Sequence, residues 1–469
     1  MTAPGTLQEL FRRGRPADAD TVLLEVPGGE RVTYGQADRR SAQLAHALVA
    51  AGVGTGDRVA AQVAKSPDAV LLYLACVRVG AALLPMNPAY TADEVAHLVA
   101  DAEPAVVLDD AGLVALVAGA RSQPDRFDDV DVGPDDLAAL LYTSGTTGRP
   151  KGAMLSHRNL ASNAAVLHDL WGFGPDDVLL HGLPIFHVHG LFVAINCVLA
   201  NGTGMVFLPR FDVDDVLAAL PRCTVLMGVP THYTRLLDDP RFDAEVCVGM
   251  RLFVSGSAPL LASTHEAFQA RTGHVILERY GMTETSMLTS NPLVGERRPG
   301  TVGFPLPGTD VRIADDETIE VRGPNVFAGY WRRPELAATE FTADGWFRTG
   351  DLGAFDDDGH LRIVGRAKDL VISGGLNVYP KEVEDVVDAI DGVLECAVVG
   401  VPDVDLGEAV LAVVVPEAGR TLDPDTVRAV ARRRLAGFKV PKRVEVVDAL
   451  PRNAMGKVTK AELRRRFGS

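Results

Sequence analysis

The sequence predicts an α/β fold: a large N-terminal domain of parallel-sheet α/β subdomains, a small β-rich barrel-like unit, and a small α+β C-terminal domain. Three changes of pattern along the 469 residues carry that reading. Up to about residue 300, short apolar runs ending in Gly, Pro or Ser alternate with stretches of helical period, the rhythm of strands and crossover helices in parallel sheets. From about residue 308 the runs turn β-rich. After GRAKD at 365–369 helices and strands mix again over about a hundred residues, enough for a domain.

Taken in order, YGQADRRSAQLAHALVAA (Tyr34 to Ala51) has apolar residues at helical spacing, and DRVAAQV reads as a strand. VLLYLACVRVG is a buried helix stopped by Gly80, since glycine accepts the left-handed conformation that closes helices. ALLPMNP and AVVLDD follow as short strands. VLLHGLP, GMVFLP, CTVLMGVP, MRLFVSGS and HVILERYG are further strands, each expected to lead into a helix. TDVRIADDETIEVRG and GHLRIVG supply the β-rich unit. KEVEDVVDAI and PDTVRAVARRRL are helices of the last domain, with strands at ECAVVGV, AVLAVVV and RVEVVDA. Ligands of parallel α/β sheets sit beyond the C-terminal strand ends, where the polar punctuation of this chain falls.

Bulk properties narrow the function. A formal net charge of −16 argues against non-specific binding to nucleic acid or to an anionic membrane. Five scattered cysteines, without C-x-x-C spacing, read as reduced core thiols and not as a disulfide framework or zinc site. The N-terminal stretch lacks the charged-then-apolar pattern of an export signal, and Arg78 interrupts the longest apolar run. The expected location is the cytoplasm, with no membrane insertion.

The richest segment is LYTSGTTGRPKG, Leu141 to Gly152, with three glycines, one serine, three threonines and two cations in twelve residues. Glycines let backbone N–H groups converge on an anion, while hydroxyls and Lys151 add donors and charge. That chemistry suits polyphosphate. It is not a Walker A loop, because Pro150 and Gly152 stand where that motif needs glycine and a hydroxyl. An ordinary Gly/Thr turn is the competing reading. GWFRTGDLG places Asp351 in a glycine-flanked turn, where a carboxylate either accepts two ribose hydroxyls or closes on its own backbone. In YGMTET, Glu284 could hold Mg²⁺, Tyr280 could stack on a base and Thr283 could bond a phosphate; a helix cap is the alternative. VSGSAPL is a small-residue turn able to approach a flat ring. PRNAMGKV sets Lys457 after a glycine, which taken alone is a solvated surface charge.

Together and in order, YTSGTTGRPKG, YGMTET, GWFRTGDLG, GRAKDLVISGGLNVYPKEVE and PRNAMGK resemble the core motifs of the adenylate-forming superfamily, which includes acyl-CoA synthetases, luciferases and nonribosomal adenylation domains. The resemblance spans roughly residues 30–465. It implies ATP and coenzyme A as co-substrates and Mg²⁺ as the metal. Thr143, Ser144, Gly145, Thr146, Thr147 and Lys151 would hold the β- and γ-phosphates, with Thr146 and Glu284 near Mg²⁺. Gly256, Ser257, Ala258 and Tyr280 would frame adenine, with Gly281, Met282 and Thr283 completing the ATP site. Asp351 and Arg366 would bind the ribose. Lys457 would reach the reacting carboxylate and the α-phosphate, making Lys457, Glu284 and Thr146 the catalytic set. Lys368 occupies the hinge position, so the implied division is 1–367 and a mobile domain 368–469. Ser373, Gly374 and Gly375 would line a tunnel for the pantetheine of CoA, and Phe438 and Lys439 lie where relatives contact CoA. The cations of RRRLAGFKVPKR otherwise read as a solvated helix face.

LPIFHVHGLF, VPTHYTRLL and SMLTSNPLVGERRPGTVG closely resemble malonyl-CoA synthetases. A second carboxylate in the acyl pocket needs a cation, ideally arginine. Arg235 and Arg297 match that family's substrate-binding positions, with His187 or His189 contributing. The competing readings are an Arg235 paired with Asp238 or Asp239 and a solvated Arg297. Ser286 and Leu288 stand where a malonate relative is expected to be more polar, which extends the expectation to substituted malonates. The expected activity is ATP-dependent ligation of malonate, or a substituted malonate, to CoA, by a monomer or homodimer. The alternatives are a fatty or aryl acid–CoA ligase and a stand-alone adenylation domain loading a carrier protein.

Overall fold

A computed structural model describes residues 4–144, 150–374, 376–453 and 456–468. The chain forms two compact units, Met1–Val311 with Val321–Phe347, and Arg312–Glu320 with Arg348–Ser469. Compactness thus divides the chain earlier than the implied boundary after residue 367.

The first unit holds two mostly parallel sheets. In the larger, the strands run in the order Phe304–Pro305, Ser286–Ser290, Leu277–Met282, Leu252–Ser255, Val225–Gly228, Val178–His181, Gly204–Phe207, Val22–Glu25 and Arg31–Thr33. The pairs from Leu277–Met282 to Val22–Glu25 are parallel, and the flanking pairs are antiparallel. Val225–Gly228 and Leu252–Ser255 are buried at every position, as parallel strands covered on both faces must be. Phe268 anchors the layer beneath them, its ring 5.0 Å from Phe253, 5.4 Å from Tyr233 and 5.6 Å from Phe242. The second sheet is ordered Val106–Asp109, Arg58–Gln62, Ala82–Pro85, Leu137–Ser144 and Pro150–Ser156, with only the last pair antiparallel.

Local signals explain the helices between these strands. Thr33 and Gln36 form a capping box that starts Tyr34–Ala50. Pro67–Val79 begins with Ser66 as N-cap and Pro at the first position, and ends at Gly80 with φ of +72°. One expectation fails. HVILERYG leads into an antiparallel hairpin and not a helix: Leu277–Met282 pairs with Ser286–Ser290, with a bulge after Tyr280. Gly281 permits the close return, since a Cβ there would lie 1.9 Å from the Ser286 carbonyl oxygen.

Asp310–Ile313, Thr318–Arg322, Phe347–Phe355 and Leu361–Arg366 form a four-stranded sheet in chain order, most of its residues belonging to the second unit. Further on, Val393–Asp403 pairs antiparallel with Gly407–Pro416, whose other neighbours are Val371–Ser373 and Arg443–Val446. Alternation along Gly407–Pro416 feeds two cores. Val410, Ala412 and Val414 pack with Val383, Val387 and Val427 of the helices Pro380–Asp388 and Pro424–Arg434. Leu411, Val413 and Val415 pack with Leu463 of the helix Lys460–Phe467. Each fully buried valine or leucine contributes roughly 1.5–3 kcal/mol.

All five cysteines are buried free thiols. No helix among the described residues is long and apolar enough to cross a membrane.

Candidate active site

Gly145, Thr146, Thr147 and Gly375 lie outside the described residues, as does the side chain of Ser144. Either side of that loop, in the first unit, a charged chain is in place. Glu284, 4% exposed, accepts on Oε1 from the Tyr330 hydroxyl at 2.9 Å and from Thr143 Oγ1 at 3.3 Å. Lys151 Nζ lies 5.0 Å from the Tyr330 ring centroid and donates to Glu340 Oε1 at 2.9 Å. Pairing of Thr143 with Lys151, and of Ala153 with Tyr330, sets these groups side by side. Burial, with the Glu284 carboxylate next in weight, raises the Tyr330 phenol far above its ordinary range, so it remains a donor. A single buried carboxylate whose Oε1 is already hydrogen-bonded suits Mg²⁺, which prefers one or two carboxylates plus phosphate and water oxygens.

The turn Gly256–Ala258 follows the strand Leu252–Ser255. Ser257 has φ of +70°, and Gly256 donates to the Gly228 carbonyl at 3.3 Å. Tyr280, Gly281 and Met282 continue the neighbouring strand, with Tyr280 8% exposed and Thr283 partly exposed just beyond. Thr283 and His187 line one cleft together with Tyr142, Phe186, Leu84 and Pro85.

Sequence reasoning missed the most unusual group of this region, Arg279. The residue is 3% exposed, and its Nε and Nη2 are buried without a hydrogen-bond partner. Burial pulls the guanidinium down to about 9, with the Tyr233 phenol opposing. Gly256 makes room for it: a Cβ there would lie 2.4 Å from Arg279 Cζ. His189, 0% exposed, opens a π-helical turn His189–Ile195, places Nδ1 3.4 Å from Ser257 Oγ, and leaves Nε2 buried and unpaired. Burial, then Arg279 and neighbouring histidines, hold His189 far below its ordinary range, hence neutral. His187 Nδ1 accepts from the His189 amide at 3.3 Å.

Lys65, also missed, braces this wall. Its Nζ lies 2.7 Å from His181 Nδ1 and 2.8 Å from the His181 carbonyl, over the Phe207 ring at 4.3 Å. His181 Nε2 in turn reaches the Gly190 carbonyl at 2.8 Å.

Arg235 sits exposed in the last turn of the helix Pro230–Asp238 and forms no ion pair with Asp238 or Asp239. Arg297 is tied to neighbouring backbone. Its Nε, Nη1 and Nη2 donate to the carbonyls of Pro292, Val275 and Leu293 at 3.0, 2.5 and 2.7 Å. The guanidinium closes its own loop through one hydrogen bond from each of its three nitrogens.

In the second unit Asp351 belongs to the strand Phe347–Phe355, not to a turn, because the glycines around it fit the pairing with Leu361–Arg366. Arg366 Nε lies 2.8 Å from Asp351 Oδ1. Lys368 follows in a short 3-10 turn, lowered by burial and then by Arg366. Ser373, 2% exposed, ends the strand Val371–Ser373, and Gly374 (φ +60°) donates to the Leu406 carbonyl at 2.8 Å. Lys439 is engaged by both oxygens of Glu382 at 2.6 and 2.7 Å. Lys457 accepts from the Asn453 amide at 2.9 Å, while its own amide donates to Asn453 Oδ1 at 3.0 Å. Arg452 donates to the Gly456 carbonyl at 2.6 Å and pairs with Glu395.

Comparison with known proteins places the chain in a family. The model of the AMP-binding enzyme family matches residues 11–331, and that of the AMP-binding enzyme C-terminal domain matches 382–457. The chain is 39% identical to a feruloyl-CoA synthase of an Amycolatopsis species, over 97% of this chain and 98% of that one. It is 40% identical to the mitochondrial malonate–CoA ligase of Mus musculus, over 74% of this chain and 68% of that protein. The crystal structure of ATP-bound MatB from Rhodopseudomonas palustris superposes with a TM-score of 0.94 at 50% identity, over 99% of both chains. With nearly the whole chain aligned to such relatives, it is an acid–CoA ligase of the AMP-binding enzyme family.

Proposed function

We propose that the chain converts malonate, or a substituted malonate, first to its acyl adenylate and then to its CoA thioester, in the cytoplasm. One observation carries the choice of acid: the buried guanidinium of Arg279, with Nε and Nη2 unpaired. An uncompensated buried charge costs several kcal/mol. A substrate carboxylate accepting from both donors removes that cost, and a fatty or aryl chain does not. Arg279 takes the part first expected of Arg297.

In this reading Arg279 fixes the distal carboxylate while the proximal one attacks the α-phosphorus of ATP and pyrophosphate leaves. Bound at Glu284, Mg²⁺ would neutralise charge on the phosphate oxygens. Tyr330 and Thr143 orient Glu284, and Lys151 adds positive charge on the phosphate side. Asp351 and Arg366 hold the ribose. Lys457, on a domain 368–469 that pivots at Lys368, supplies positive charge at the reacting oxygens and withdraws before the thiolate of CoA displaces AMP.

The test is pyrophosphate release with malonate, methylmalonate, acetate, octanoate and ferulate, each with and without CoA, for the parent chain and Arg279→Met. Malonate should be turned over, with its KM about 100-fold higher in the variant, the loss of two charged hydrogen bonds. Turnover of octanoate or ferulate with malonate silent would refute the dicarboxylate reading.

A further inference from the structure

Thr143 and Tyr330, both hydrogen-bonded to Glu284, share an anchor that no motif marks. Asp101 lies in the last turn of the helix Ala92–Ala102, where the helix dipole favours cations and disfavours a carboxylate. Three donors converge on it all the same, and its side chain is only 15% exposed. The Tyr142 hydroxyl donates to Oδ2 at 2.6 Å, Arg333 Nη2 to Oδ1 at 2.8 Å, and Trp331 Nε1 to the Asp101 carbonyl at 3.1 Å. Burial, then the Asp101 carboxylate, raise the Tyr142 phenol far above its ordinary range, so it stays a donor.

Each of these donors adjoins a partner of Glu284. Tyr142 precedes Thr143 in the strand Leu137–Ser144, and successive side chains of a strand point to opposite faces. Thr143 faces Glu284 while Tyr142 faces Asp101. Trp331 follows Tyr330, and Arg333 closes the turn after it, its amide donating to the Tyr330 carbonyl at 3.2 Å. The two segments meet again at Gly152. That residue is the Cα partner of Tyr142, and its carbonyl accepts from the Trp331 amide at 2.7 Å. A Cβ on it would lie 3.2 Å from Tyr142 Cζ and 3.3 Å from Trp331 Cβ. A carboxylate that grips both segments, one oxygen to each, leaves little play in either. Resting on the reading of Glu284 as the Mg²⁺ ligand, we propose that Asp101 is a positioning residue of the triphosphate site. It acts through Tyr142 and Arg333, which fix Thr143 and Tyr330 and with them the Glu284 carboxylate, and so sets how tightly Mg²⁺-loaded ATP is held.

The test is calorimetric binding of two probes: α,β-methylene-ATP loaded with Mg²⁺, and the sulfamoyl analogue of malonyl adenylate, which has no β- or γ-phosphate. The chains compared are the parent, Asp101→Ala, Asp101→Asn, Tyr142→Phe, Asp101→Ala combined with Tyr142→Phe, and Glu284→Gln. Asp101→Ala should raise the Kd of the Mg²⁺-loaded probe about tenfold, the scale of one charged hydrogen bond, and leave that of the sulfamoyl probe within about twofold. Asp101→Asn, which still accepts from Tyr142, should recover part of the loss. Tyr142→Phe should weaken the Mg²⁺-loaded probe in the parent and add little in Asp101→Ala, the non-additivity of residues that act as a unit. Full additivity would overturn the route through Tyr142. Equal weakening of both probes would make Asp101 a strut of the fold and overturn the inference, as would an unchanged Kd in Asp101→Ala. Glu284→Gln separates the two readings. A loss there with none at Asp101 overturns this inference alone, and no loss at Glu284 removes the Mg²⁺ assignment on which it rests.

Discussion

Asp351 and Arg366 stand opposite each other as Cα partners of an antiparallel pair, and the Arg366 Nε lies 2.8 Å from Asp351 Oδ1. The strand pairing itself therefore aims the carboxylate, which belongs to a residue 3% exposed. Asp351→Asn keeps the shape and removes the charge. ATP KM should rise about 10- to 100-fold, the value of one or two hydrogen bonds to a charged acceptor. Malonate KM at saturating ATP should hardly move; pyrophosphate-exchange kinetics read both.

Tyr330→Phe deletes the hydroxyl that donates to Glu284 at 2.9 Å and spares the ring beside Lys151. A charged hydrogen bond of about 1.5–3 kcal/mol is lost. The expected result is a kcat/KM for ATP lower by at least tenfold with a raised Mg²⁺ requirement, read from a Mg²⁺ titration at fixed ATP. An unchanged titration would mean that Glu284 needs no orienting partner.

Arg297→Met should act on stability and not on choice of acid. Three carbonyl acceptors lose their donor, at about 1 kcal/mol each. The melting temperature should fall by several degrees while malonate KM stays within about twofold, the reverse of Arg279→Met. A large rise in malonate KM would return Arg297 to the pocket.

Asp388 gives a stability dependence on pH. Burial, with Glu384 and Asp385 adding to it and Lys381 opposing, raises its carboxyl to about 7. An acid raised in the folded state binds its proton more tightly there than in the unfolded chain. Folding is therefore favoured by low pH, and stability drains away as pH climbs from the ordinary carboxyl range near 4 through 7. Asp388→Asn should leave the melting temperature nearly unchanged at pH 4.5 and raise it at pH 8, as calorimetry at the two values would show.

Much of the proposed reaction machinery is read from the sequence because it is written in local, ordered motifs. Thr143, Lys151, Glu284, Asp351, Arg366 and Lys457 each sit in a segment whose glycines and hydroxyls announce a strand end or turn. Arg279 and Tyr330 were not legible, because what distinguishes them is tertiary. The one available signal for Arg279 was its place: a cation beside Glu278 inside the apolar run HVILERYG must find a partner once that strand is buried. Tyr330 reaches Glu284 across 46 residues of sequence, a relationship no spacing rule contains. Asp351 was expected on a turn since two glycines flank it; in the strand Phe347–Phe355, Gly350 takes φ of +70° and pairing continues. Arg297 and Arg298 look alike in sequence, and only the surrounding carbonyls mark Arg297 as a clamp on its own loop.

Gly256 also bears on how such a chain changes over generations. A glycine codon is a single base from an alanine codon. The methyl group so introduced would fall 2.4 Å from Arg279 Cζ, and the guanidinium, at the end of a flexible chain, would have to swing aside. Glu284, Lys151 and the rest of the proposed triphosphate site would be untouched by that change. On the proposed assignment of Arg279, the acid that is chosen and the chemistry performed on it can thus be inherited separately: one mutation retires the first, and selection on the second keeps the enzyme in service for whatever acid comes next.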